Sequence, residues 1–154
     1  MIQFLTLHDF VSYFESWANE DPEIKFFLYG GIEKGLAFAR GHEDFGYPFV
    51  WLEQPVIYTS DNGYANTNEE FRFGLSVLLN YQPGNYEGYV EAQSIALSAL
   101  HRLQKQIRHD VKAGLIEATV NGNKKEAISD LWIDKHTGWR IEMSVEFNAN
   151  SLLC

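Results

Sequence analysis

The chain has 154 residues, is 45% hydrophobic and 15% aromatic, and carries a formal net charge of −9. Such a length and apolar content predict one domain with a sizeable core, and exclude a disordered tail or a fibre. The charge is uneven: residues 1–90 hold 13 acidic against 4 basic side chains, and residues 91–154 hold 8 against 8, so the acidic part is ill suited to gripping a phosphate backbone.

TLHDFVSYFESWANEDP predicts a first helix. Thr6 is its N-cap, with Asp9 in place of the usual capping-box glutamate, and Phe10, Val11, Phe14, Trp17 and Ala18 share one face. Pro22 bars its continuation. IKFFLYGG reads as a short strand, Ile32 to Arg40 as a short helix although alternating Leu36 and Phe38 also suit a strand, and Phe49 to Leu52 as a strand buried on both faces between Pro48 and Pro55. The polar TSDNGYANTNEE, with its Asn62-Gly63 turn signal, predicts a long loop or an extended hairpin over 59–70. FRFGLSVLLNY alternates as a strand, with Phe71, Phe73, Leu75, Val77, Leu79 and Tyr81 on one face.

The longest helix is predicted from Glu91 to Ala113, on a stripe of Tyr89, Ala92, Ala96, Leu100, Leu103, Ile107 and Val111, with Gly114 just beyond its end. VNGNKKEA reads as a loop. AISDLWIDKHTGWRIEMSVEFN then reads as a hairpin with Gly138 at a turn position, and NANSLLC as a loose tail over 148–154. The order implies a single α+β domain over 1–154. It is a two-layer sandwich, a mostly antiparallel sheet of four to five strands covered by the N-terminal helix and one long helix.

No catalytic or metal-binding pattern stands out. The five histidines lack zinc-ligand spacing, there is no nucleophile elbow, and YGGIEKG has neither a P-loop nor a Rossmann arrangement. His42, Glu43 and Asp44 form the only local acid–base cluster, in a glycine-flanked loop where solvated side chains are the ordinary outcome. The chain is therefore read as a non-enzyme without metal or cofactor. Cys154 is its one cysteine, so no internal disulfide is expected and a reducing compartment is the default. No run approaches the roughly 20 apolar residues of a membrane span, and MIQFLTLHDF lacks the basic start of a signal peptide.

The basic residues are more informative. Arg102, Lys105, Arg108 and Lys112 fall at helical spacing on the outward side of the long helix, where they complement its macrodipole or offer a contact to an acidic surface on another copy. Along the last strand, Trp139, Ile141, Met143, Val145 and Phe147 alternate with Arg140, Glu142, Ser144 and Glu146. If that strand is an edge, Arg140, Glu142 and Glu146 set the register of a neighbouring subunit; if it is internal, they are a wetted face.

Taken together, the first helix, YPFVWLEQP, FRFGLSVLL, EAQSIALSALHRLQKQIRHD and the final hairpin resemble, in order and length, the tail-terminator or tail-completion proteins of long-tailed bacteriophages and prophages. The resemblance implies a non-catalytic virion assembly protein. It implies a homo-oligomeric, hexameric ring that caps the tail tube, meets the head–neck connector and lets DNA through its lumen without binding it. It also implies residence in the bacterial cytoplasm during assembly and then in the virion tail. The alternative is a small binding module, with Trp51, Tyr58 and Tyr64 lining a pocket.

Overall fold

A computed structural model of the chain describes residues 2–31, 41–64, 66–131 and 136–153. It is an α+β sandwich whose elements run α1 (Leu7–Glu20), β1 (Phe26–Tyr29), β2 (Phe49–Leu52), β3 (Val56–Asp61), β4 (Thr67–Asn80), α2 (Tyr86–Lys112), β5 (Thr119–Leu131), β6 (His136–Asn148) and α3 (Asn150–Leu153). The short helix expected over Ile32–Arg40 lies outside the described residues.

α1 begins as its sequence dictates. The Thr6 hydroxyl accepts the Asp9 N–H at 3.1 Å, and the Asp9 carboxylate accepts the Thr6 N–H at 3.0 Å, a closed capping box. α2 starts earlier than expected, because Asn85 caps it by accepting the Gly88 N–H at 2.9 Å. It stops at Gly114, whose φ of +69° takes it out of the helical region at little steric cost.

The sheet has six strands in the described residues, more than the four or five expected. Its order is β1-β2-β4-β6-β5, with β3 also on β4, and every pairing is antiparallel except β1 with β2. The added strand is β3, which makes 59–70 part of an extended hairpin, and β5 starts earlier than expected because it takes in a segment read as a loop. VNGNKKEA is part of β5, where Lys124, Lys125 and Glu126 pair with Glu142, Ile141 and Arg140 of β6; a long partner strand overrides their weak local preference. Residues 56–61 and 67–72 form the β3–β4 hairpin. β2 and β3 thus lie one after the other along β4, interrupted by Glu53, Gln54 and Pro55.

Strand alternation sorts two cores. On the inner face, Leu75, Val77, Ile141 and Val145 meet Phe10 and Phe14 of α1 and Leu100 and Leu103 of α2. Ala92, Ala96 and Ala99 let α2 lie close on the strands. The stripe of α2 ends differently from the expectation: Val111 is exposed and Asp110, three residues after Ile107, turns inward instead. On the outer face a second, smaller core of Leu28, Phe49, Trp51 and Leu78 is flanked by Phe45 and Tyr47. All four β2 residues are buried because they alternate between these two cores.

Two other expectations are corrected. Gly138 lies within β6 opposite Leu78, not in a turn; a side chain there would run into the Val77 carbonyl. Where a loose tail was expected from residue 148, β6 ends at Asn148 and α3 spans Asn150–Leu153. The Ala149 N–H donates to the Thr67 carbonyl at 2.7 Å, and the Asn150 carboxamide accepts the Thr67 N–H at 2.7 Å. These bonds hold the start of β4 and the end of the chain together.

Candidate functional site

The surface that stands out is the β3–β4 hairpin, here called the arm. Every β3 residue is exposed, with Val56 at 59%, Ile57 at 48% and Tyr58 at 48%, and Tyr64 at the tip reaches 89%. Alternation gives the arm two unlike faces. Val56 and Tyr58 lie opposite Arg72 and Glu70, whose ion pair closes at 2.8 Å while the guanidinium stacks 4.2 Å from the Tyr58 ring. Ile57, Thr59 and Asp61 lie opposite Phe71, Glu69 and Thr67, so this second face carries two acids and no cation. The turn is held by side chains: Asp61 accepts the Gly63 N–H at 2.7 Å, and Asn62 accepts those of Tyr64 and Asn66.

The predicted basic stripe on α2 is split. Arg102 faces α1, where its Nε donates to Asp21 at 2.7 Å and its Nη2 donates to Asp21 and Glu23 at 3.1 and 3.4 Å. It is therefore an intramolecular clamp and not a free contact. Lys105, Arg108 and Lys112 remain exposed, with no ion-pair partner among the described residues, and Val111 and Leu115 beside them are 44% and 42% exposed.

A groove of about 970 Å³ runs between α1 and the C-terminal half of α2. In it the Tyr13 hydroxyl donates to Asp110 at 2.7 Å, the Gln106 amide donates to the other oxygen at 2.9 Å, and His109 lies 3.3 Å away. Burial, and then the hydrogen bond and charge of Asp110, push the Tyr13 phenol far above its ordinary range, so it stays a donor. The buried carboxylate is thereby satisfied and fastens one helix to the other. Sequence reading missed Asp110, although its place in the register of the buried stripe was a usable signal.

The Asp21–Arg102 clamp predicts a pH dependence. Burial pushes the Asp21 carboxyl up, but its bond from Arg102, the N–H groups of Glu23 and Ile24 and the nearby positive charge together hold it below the usual carboxylate range. A lowered folded pKa stabilises the fold above the unfolded value of about 3.9, and that contribution is lost as pH falls through the folded value. Asp21→Asn should cost about 1–2 kcal/mol at pH 7, reduced by the partial exposure of Arg102. In urea unfolding the gap to the parent protein should close towards pH 2, and a gap that stays constant would sink this assignment.

The residues predicted to pair subunits along the last strand lie inside the sheet, because β6 is flanked by β4 and β5. Arg140 is held by Glu53 at 2.6 Å and Glu142 at 3.0 Å. Gly74 leaves the room: a side chain there would meet both Glu53 and Arg140. Glu146 accepts the Asn68 amide at 3.3 Å near the tip of the arm. These three side chains therefore tie strands of one chain together rather than marking an open edge.

The aromatic trio does not line one pocket. Trp51 belongs to the outer core and donates to the Gly30 carbonyl at 2.8 Å, whereas Tyr58 and Tyr64 sit on the arm. His42, Glu43 and Asp44 are exposed, with the Asp44 N–H donating to His42 Nδ1 at 3.2 Å. Among the described residues no three His, Cys, Asp or Glu side chains gather as metal ligands, and no helix is long and apolar enough to cross a membrane.

Comparison with protein-family models gives no match. Comparison with curated proteins gives none either.

Proposed function

We propose that this chain is a non-catalytic assembly subunit of a phage or prophage tail. It is a tail terminator that closes into a ring, caps the tail tube and meets the head–neck connector. The observation that carries this reading is the arm. β3 pairs only with β4 among the described strands, it is wet on both faces, and it displays Val56, Ile57 and Tyr58 without the lysine or bulge that commonly blunts an edge. Such a surface is suited to a neighbour. The excess of acid also suits a lumen through which DNA slides, since like charge keeps phosphates from adhering.

The test is absolute mass by light scattering across a concentration series, followed by co-sedimentation with tail tubes made from the same phage or prophage. A closed ring, or a monomer that assembles on tube ends, is the expected result. A monomer that ignores tubes would remove the assembly reading. It would favour a binding module instead, for which the groove between α1 and α2 is the place to look.

A further inference from the structure

We infer that the acidic face of the arm docks on the basic C-terminal face of α2 of a second copy of this chain. The inference rests on the assembly reading and names the two surfaces that assembly uses. On the arm, Asp61 and Glu69 share a face with the exposed apolar Ile57, and the nearby Arg72 is turned to the opposite face, where Glu70 neutralises it. On α2, Lys105, Arg108 and Lys112 lie without an ion-pair partner among the described residues, flanked by exposed Val111 and Leu115. Each surface is a mixture of charge and apolar area, and the charges are of opposite sign. Opposed patches of this kind steer encounter and set register, while the apolar side chains supply burial.

The dimensions match. Lys105 to Lys112 spans about 10 Å along a helix at 1.5 Å per residue. Ile57 to Asp61 spans about 13 Å along a strand at 3.3 Å per residue. Neither surface is self-complementary, since a like-signed face would meet itself. The contact joins unlike patches, so it closes a two-fold pair where two copies exchange it reciprocally, and makes a ring or a filament where each copy passes it on to the next. Arg102 takes no part, being held by Asp21.

The experiment compares sedimentation velocity of the full chain at low and high salt with three variants, after circular dichroism has shown that each is folded. The arm variant is Asp61→Asn with Glu69→Lys, in which the asparagine keeps the acceptor that the Gly63 N–H needs. The helix variant is Arg108→Glu with Lys112→Glu, and the third chain carries all four changes. Arm and helix variants should each weaken self-association about tenfold, and the combined chain should recover most of it because the charges again oppose. Salt should weaken the parent oligomer. A parent oligomer that neither reversal disturbs would overturn this interface and leave the ring reading standing on other surfaces. A parent chain that is monomeric up to about 1 mM, a contact weaker than about −4 kcal/mol, would overturn it as well, with tube co-sedimentation then deciding the fate of the ring reading separately.

Discussion

Replacing Phe10 by alanine should lower the free energy of unfolding by about 3–5 kcal/mol, the usual range for a buried phenylalanine. Phe10 is fully buried on α1, edge-on to Phe14 at 5.4 Å, to Phe71 at 5.4 Å and to Phe73 at 4.7 Å. It joins the helix to the central strand, so truncation removes both the transferred area and the ring contacts on three sides. Because those neighbours belong to different elements, they cannot all move in to fill the gap. In a chain of this size the same loss corresponds to a fall in Tm of roughly 6–20 °C, a large share of the ~5–15 kcal/mol that holds a domain folded. Urea unfolding monitored by circular dichroism measures it directly. A change below about 1 kcal/mol would show that α1 is not anchored on β4 in this way.

The second large effect is expected at Gly138. An alanine there would put its methyl group against the Val77 carbonyl oxygen, with the Val77 carbonyl carbon 3.0 Å and the Leu78 Cα 3.2 Å away. All three atoms are backbone of β4, which is paired with β2 on its other side, so no side-chain rotation relieves the clash. Gly138→Ala should therefore reach about 3 kcal/mol or more, the upper end of overpacking costs. Gly122→Ala is the matched control. Its added methyl would meet the ends of Ile141 and Met143 at 3.3–3.5 Å, both flexible side chains, and the cost should stay near 1 kcal/mol or below. Equal midpoints for the two variants in urea would refute the close approach of β6 to β4.

Both predictions, and the clamp between Asp21 and Arg102, concern how the helices and strands are bound into one body. The β3 side of the arm and the acids at its surface lie outside that framework: they contribute little to burial, so charge reversals there are expected to move association and leave stability nearly unchanged. That separation makes the interface testable without unfolding the protein.

What the sequence determined by itself is what short-range periodicity and capping control. α1 with its Thr6–Asp9 box, the buried faces of β2, β4 and β6, the end of α2 at Gly114 and the α+β class all follow from spacing along the chain, because each is decided within a few residues. What the tertiary structure decided is pairing and orientation. Polar VNGNKKEA becomes strand only because β6 lies alongside it, and Gly138 looks like a turn residue until β4 is found pressed against it. Arg102 sits in a basic stripe by spacing, yet Asp21, 81 residues earlier in the chain, removes it from that stripe. Arg140 and Glu142 leave the list of edge residues because β6 has a neighbour on each side. In each case the deciding partner is far away in sequence, and periodicity reports which side of an element is apolar, not which element will cover it.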